Sequence, residues 1–429
     1  LYRAGKFSRK HRAAAVAMLV VFLSIVIGGT VSTIGWKEAS FQQARVEVRN
    51  EVLQESVMSL LHGVKEAVQD LGDSADAQRA LLGLAGKNLN AIQQGQTPTK
   101  SEQVELAIIL IRSARSHMSV SGVGFGDLDE AAISLTRAEE VLDSIDLQNA
   151  EASLRTSVSR IILDRLKYVA ELQTARAAQT DDEIDKKAFR EEAIQVYLSR
   201  DAAGKRYYKT SNDWKGIDVQ QSSQLGLGNV LLALGDEEGA NDAFAKSLEH
   251  AKSLMKLVPD KSSRWQRNIA VSKYSLARVS TPKEAIQGLH EGIAISRSLV
   301  TLESNHVRRP RDLAIMLALR GKLRLKNGYD EKDGIADLQE AALMFTKRAV
   351  QSPQETTTQQ DYEENISQMA DELMLAGLFA EGTAMLAGAI NQLACIASAQ
   401  ELAGRLQWKE IVEKLQTKLE SFATASVPE

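Results

Sequence analysis

Six prolines, six histidines and a single cysteine in 429 residues remove several classes of protein at once. Cys395 alone can form neither an internal disulfide nor a cysteine-built metal cluster. It stands in the apolar run Leu393-Ala394-Cys395-Ile396-Ala397, and the expectation is a buried, inert thiol. His11, His62, His117, His250, His290 and His306 offer no spacing that sets two rings and a carboxylate on one helix face. No zinc site is expected, and no metal or other cofactor is assigned. Aromatics reach only 5% while charged residues reach 25%, a composition that suits helices. The net charge is −4, and five cations lie within the first twelve residues, so residues 13 to 429 carry −4 − 5 = −9. A broad nucleic-acid footprint is excluded, because binding phosphates needs clustered cations.

Those five cations, Arg3, Lys6, Arg9, Lys10 and Arg12, stand directly before twenty-four residues, 13–36, without a formal charge. As a helix this run is about 36 Å long, enough to cross a hydrocarbon core of about 30 Å. Eleven Val, Leu, Ile or Phe side chains favour insertion, each by about 0.3 to 0.6 kcal/mol. Residues 13–36 are therefore expected to form a transmembrane helix and residues 1–12 a basic cytoplasmic juxtamembrane segment, since cations beside a span stay in the cytoplasm. Trp36 is placed as the interfacial anchor on the far side. The competing reading is a cleavable signal peptide cut near residues 28–35; the length of the apolar run speaks against it. The chain opens on Leu1 rather than Met, and the expectation is a piece of a longer product.

Beyond Trp36 period-2 alternation is nearly missing, while apolar residues recur at three and four. Residues 37–95 are read as a juxtamembrane helical region, with Leu53, Val57, Leu60, Val64, Val68 and Leu71 on one stripe. That stripe packs on its downstream neighbour or pairs two chains, so a homodimer stays open. Residues 95–101, GQTPTKS, form a break. Residues 102–425 are read as a repeat domain.

An internal repeat carries that reading. Gly126 is followed by Ala131, Leu135 and Ala138; Gly235 by Ala240, Phe244 and Ser247 at the same offsets. Ser280 leads to Ala285, Leu289 and Gly292, Tyr329 to Gly334, Leu338 and Ala341, and Gly377 to Gly382, Leu386 and Ala389. The last four turns are 45, 49 and 48 residues apart, and the 109 residues between the first two leave room for a degenerate unit. A glycine ends one helix in the left-handed conformation, Asp127 or Asp236 caps the next, and small residues let the two helices approach closely. The words Arg267-Asn268-Ile269-Ala270 and Arg311-Asp312-Leu313-Ala314, 44 residues apart, repeat in the first helices.

Three stretches bear a superficial chemistry. SGVGFGD at 121–127 has three glycines but no preceding strand and no lysine, so it reads as a flexible hairpin turn. Arg311-Asp312-Leu313 matches three letters of a kinase catalytic loop, but Leu317 stands where that loop needs an asparagine. KRYYK at 205–209 mixes cations and aromatics as single-strand binders do, and reads as a solvated loop. No nucleophile and base stand out, and these residues are not read as an enzyme.

In residues 225–247 the sequence resembles tetratricopeptide repeats. Leu227-Gly228, Ala240 and Phe244 fall at that family's helix-packing positions and Gly235-Asp236 at its inter-helix turn. The period exceeds the usual ~34 residues, and Pro259 comes late. The implied fold class is all-α: one transmembrane helix, then an α-solenoid of tetratricopeptide-like hairpins. The opening Tyr2-Arg3, Lys6-Phe7 and Arg9-Lys10-His11-Arg12, running into the apolar segment, resemble the region behind the catalytic domain of bacterial membrane-bound serine/threonine protein kinases. The Arg-x-Leu/Ile-Ala words and Leu227-Gly228 through Ala233-Leu234-Gly235-Asp236 are similar to that family too. The resemblance implies a sensory, protein-binding region in the bacterial inner membrane. Its repeats would lie in the periplasm or outside the cell, its partner would be a protein or peptide, and kinase activity would lie upstream of Leu1. A stand-alone tethered scaffold or chaperone adaptor, and a membrane-bound transcription regulator, stay open as alternatives.

Overall fold

Repeated helical hairpins need a stop, a cap and a small-residue face, and the computed structural model shows how this chain supplies them. It describes residues 99–118, 127–302, 308–351, 356–402 and 407–425. The chain divides into two compact units, Leu1–His62 and Gly63–Glu429, and every described residue belongs to the second. The expectations for residues 1–95, including Arg3, Lys6, Arg9, Lys10, Arg12 and Trp36, lie outside the described residues, as do those for Gly126, residues 121–126 and the Cys395 side chain. Among the described residues no helix is long and apolar enough to cross a membrane.

The thirteen described α-helices are α1 Lys100–Met118, α2 Leu128–Asp143, α3 Ala152–Gln179, α4 Glu183–Ser211, α5 Lys215–Ala233, α6 Glu237–Leu257, α7 Ser262–Ala277, α8 Pro282–Leu302, α9 Arg308–Lys326, α10 Glu331–Gln351, α11 Thr356–Leu375, α12 Phe379–Leu402 and α13 Gln407–Ala425. Consecutive helices pack on each other throughout, and α1 on α3, α5 on α7, α9 on α11 and α11 on α13 touch as well. Strands are missing among the described residues.

Three hairpins turn in the same way. Gly235, Gly328 and Gly377 have φ of 82°, 65° and 79°, the left-handed region that a Cβ penalises and glycine does not. The N–H of each glycine and of the residue after it reach back to the last carbonyls of the preceding helix: Gly235 to Leu232 and Asp236 to Leu231, both at 3.0 Å. Gly328 with Tyr329, and Gly377 with Leu378, repeat the pattern. This paired bonding satisfies carbonyls that a helix end leaves open. Asp236 then accepts from Gly239 N at 2.9 Å, and Asp127 from Glu130 N at 3.0 Å. The turn before α8 lacks glycine. There Thr281 Oγ1 donates to Glu284 at 2.7 Å and Pro282 opens the helix, a position where its missing N–H costs nothing.

Beyond each turn, the second helix buries the residues that the repeat rule names. Ala131, Leu135, Ala138, Ala240, Phe244, Ser247, Ala285, Leu289, Gly292, Gly334, Leu338, Ala341, Gly382, Leu386 and Ala389 are all buried. Full burial of Phe244 alone contributes about 2 to 3 kcal/mol. One core cluster runs from Ala270 in α7 to Phe422 in α13, so the later units share a continuous interior.

The long gap after the first unit holds the pair α3 and α4, of 28 and 29 residues. Asp182 caps α4, accepting from Ile184 N and Asp185 N. The buried face of α4 is Ala193, Tyr197, Arg200, Gly204 and Tyr207, a seven-residue spacing without the small–apolar–small order. The solvated-loop reading of KRYYK is corrected here: Lys205 to Lys209 form part of α4. Tyr207 is buried and donates to Asp213 at 3.1 Å, while Tyr208, like Trp214, packs against the cluster of Ile217, Leu254, Val258 and Trp265. Gly204 lies within the helix, where a Cβ would stand 2.7 Å from Val219 Cγ1, and the helix runs on unbroken to Asn212, which ends it with φ 52°.

Candidate interaction surface

First helices of successive hairpins are tied together by polar contacts between residues one repeat apart. Arg264 on α7 donates to Asp218 on α5 at 2.6 Å, and Asn268 to Gln221 at 3.1 Å. Arg267 grips both oxygens of Asp312 on α9 at 2.6 and 3.1 Å. Arg311 grips Asp361 on α11 in the same two-point fashion, with Nη2 to Oδ1 at 2.7 Å. Lys414 on α13 pairs with Glu363, and Lys418 with Asp371. The ladder therefore joins α5, α7, α9, α11 and α13. Charge-assisted two-point contacts fix orientation as well as distance, so this row of helices is held in register before any partner arrives. Asp312, the residue that matched a kinase loop, is one of its rungs.

Charges inside the array are matched with equal care. Arg320 and Asp337 are both buried and share two bonds of 2.8 and 2.6 Å, with Arg324 adding a third at 2.8 Å. The buried guanidinium of Arg200 donates to Leu163 O, Val219 O, Ser222 Oγ and Ser223 Oγ. Burial draws its pKa down, opposed by the charges of Asp164 and Asp218. Burial in turn raises both carboxyls, against the pull of Arg160 on Asp164 and of Arg264 on Asp218. Each such group has its charge answered locally, as a low-dielectric interior requires.

Two hairpins pack through glycine. A Cβ on Gly228 would stand 2.5 Å from Phe244 Cε1, and one on Gly321 would stand 2.8 Å from Leu338 Cδ2. Gly321 precedes Gly328 by seven residues, as Gly228 precedes Gly235. The tetratricopeptide resemblance named Gly228 but not its counterpart Gly321, although that fixed offset was available to find it. Ala131 and Ala240 have no exposed surface in their second helices.

One end of α4 and α6 gathers cations around tryptophan. Trp214 meets Trp265 edge-on at 5.5 Å between ring centres. Lys261 Nζ lies 4.4 Å from the centre of the Trp214 ring, Lys215 Nζ 5.9 Å, and the Arg264 guanidinium 4.7 Å from that of Trp265. Trp265 is fully buried and donates to Val258 O at 3.0 Å, which closes α6 against α7. Elsewhere, a cleft of about 380 Å³ between α1 and α3 is lined by Arg115, Met118, Lys167, Tyr168, Glu171 and Ala175.

No family model and no curated protein matches this chain. Among solved structures, BtubC from P. vanneervenii is similar at 13% identity and a TM-score of 0.41, over 63% of this chain and 91% of that one. A signal transduction ATPase with a tetratricopeptide repeat sensor, from Pyrococcus horikoshii, is similar at 14% identity and a TM-score of 0.45. That match covers 86% of this chain and 48% of the ATPase, so this chain spans about half of its length. A Rap protein complexed with Competence and Sporulation Factor is similar at 14% identity and a TM-score of 0.26, over 86% and 99% of the two chains. The fold assignment rests on the hairpins themselves: the described residues form an all-α solenoid of tetratricopeptide-like repeats.

Proposed function

We propose that this chain is the non-catalytic, membrane-anchored, protein-binding region of a bacterial receptor-like serine/threonine kinase, with its repeats outside the cytoplasm. The observation that carries protein binding is the ladder from Asp218 to Lys414, which holds five first helices in one fixed row. A partner meets a surface whose ordering cost has already been met by folding, and a preorganised surface binds more tightly for the same contacts. Anchoring is supported by the five leading cations and the uncharged run 13–36. The kinase link is supported by the resemblance of that junction. Partner binding would then change how two chains associate, and the span would pass the change across the bilayer.

Three measurements test the parts separately. Protease added to intact spheroplasts is expected to degrade the array; full protection sinks the orientation. Purified residues 37–429, given ATP, are expected to show strong helical circular dichroism and no phosphotransfer. Appreciable phosphotransfer overturns the division of labour. A photocrosslinker at exposed Asn229 on α5, in the full chain in native membranes, is expected to yield a discrete protein adduct. Adducts equally abundant with a crosslinker at exposed Lys252 on α6 would refute the first-helix row as the binding face.

A further inference from the structure

We propose that the array has a second docking surface, where α4 and α6 end and α5 and α7 begin, built for an acidic peptide segment that carries a large apolar side chain. The proposal rests on the protein-binding reading above and assigns a further surface to it.

Residues 205–215 and 256–264 hold seven Lys and Arg against Asp213 and Asp260, a net of 7 − 2 = +5 on twenty residues of a chain whose total is −4. Asp213 holds Lys215 at 3.2 Å and Asp218 holds Arg264. Lys205, Arg206, Lys209, Lys256 and Lys261 are exposed, and none has a carboxylate at ion-pair distance among the described residues. Helix dipoles explain part of this: a cation in the last turn, such as Lys209 or Lys256, faces the negative helix end. They do not explain Lys215, Lys261 and Arg264, which stand at or just before the opening turns of α5 and α7, where the dipole disfavours positive charge.

Apolar surface lies among these cations. Trp214 is half-buried, and Leu257 is 52% exposed next to Val258, which packs in the same cluster as Trp214. An acidic segment with an aromatic or aliphatic residue matches both features, and charge of opposite sign also speeds its capture. A nucleic acid fits less well. Bases need exposed aromatic faces to stack on, and Tyr207 is buried while Tyr208 packs inward.

The test uses the full chain in detergent and a fluorescein-labelled octapeptide of Asp and Glu with one central Phe. Anisotropy is expected to report binding at low salt that weakens at least tenfold on raising the salt. The double change Lys209→Glu with Lys261→Glu is expected to weaken it at least tenfold, and Lys261→Arg to leave it within twofold. Lys187→Glu, an exposed position near the other end of α4, serves as the control. Circular dichroism verifies the fold of each variant. Equal binding of the Asn/Gln version of the peptide, or no effect of the double change, overturns the proposal. Peptide indifference with charge-dependent binding to phosphatidylserine vesicles overturns it in favour of a lipid surface. If the peptide fails while the Asn229 crosslink persists, this surface alone is refuted; if both fail, the scaffold reading falls with it.

Discussion

Arg267 and Asp312, forty-five residues apart, share two hydrogen bonds of 2.6 and 3.1 Å that join one hairpin to the next. Asp312 is only 11% exposed and Arg267 33%. The pair is therefore screened less than a surface ion pair, which contributes about 0 to 1 kcal/mol. Removing either partner leaves the other charged and part-buried. Asp312→Ala is expected to cost about 1.5 to 3 kcal/mol. A double-mutant cycle with Arg267→Ala, read by urea unfolding, is expected to return a coupling above about 1 kcal/mol. Additive single changes would mean that the rung contributes nothing of its own.

Gly228 makes a sharper test of the packing, because a second helical glycine, Gly288 on α8, serves as its control. A Cβ there would collide with the Phe244 ring at 2.5 Å, whereas one on Gly288 would meet nothing within 4 Å. Gly228→Ala is expected to destabilise by about 1 to 3 kcal/mol through overpacking. Gly288→Ala, inside α8, is expected to stabilise by up to about 1 kcal/mol, since alanine loses less backbone freedom on folding. The same sign for both in denaturant melts would contradict the crossing of α5 and α6.

Ala240 lies in the same hairpin with no exposed surface. Tryptophan there has no room without pushing α6 from α5, and Ala240→Trp is expected to lower the thermal midpoint by several degrees at least, because overpacking costs about 1 to 3 kcal/mol or more. An unaltered midpoint would argue against the hairpin.

What could be read from the sequence follows from what burial demands locally. Second helices must present small, then apolar, then small residues, so Ala240, Phe244 and Ser247 advertise their unit without help from the rest of the chain. The unit of α3 and α4 hides because Tyr197, Arg200 and Tyr207 fill its interface instead. A buried arginine is tolerable there only because Leu163, Val219, Ser222 and Ser223 accept from it, and nothing near Arg200 in sequence announces acceptors on two other helices. The same holds for the ladder. The words Arg267-Asn268-Ile269-Ala270 and Arg311-Asp312-Leu313-Ala314 could be seen to repeat, but the arginine of one gripping the aspartate of the next is a fact of stacking. KRYYK misled because cations beside aromatics look solvated; helix periodicity turns Tyr207 and Tyr208 inward and leaves Lys205, Arg206 and Lys209 outside.

His250 on α6 introduces a pH dependence. Burial lowers its pKa from the ordinary value, opposed by Asp201 of α4 and by its neighbour Glu249, and reinforced by Lys246. One buried oxygen of Asp201 has no hydrogen-bond partner. A histidine whose folded pKa lies below its unfolded pKa contributes full stability above the unfolded value, about 6.5, and loses it as pH falls toward the folded value. Urea midpoints are expected to drop between pH 7.5 and pH 5.5, and His250→Gln is expected to flatten that drop. A midpoint that rises on acidification would mean that contact with Asp201 outweighs burial.

The membrane expectation has its own direct test, since it rests on residues 13–36 carrying no charge. An arginine at the centre of a span costs about 2.5 to 3.5 kcal/mol on an insertion scale, against a gain of about 0.3 to 0.6 for the isoleucine it replaces. Ile25 lies near the middle of the run, too far from either end for a long side chain to bring its charge readily to the interface. Ile25→Arg is therefore expected to reduce the carbonate-resistant membrane fraction of the full chain. Ser8→Arg, which adds a cation to the basic segment, is expected to leave that fraction unchanged and to strengthen the orientation. Equal carbonate extraction of Ile25→Arg and the unsubstituted chain would place the anchor elsewhere and remove the ground for setting the repeats across the bilayer from the leading cations.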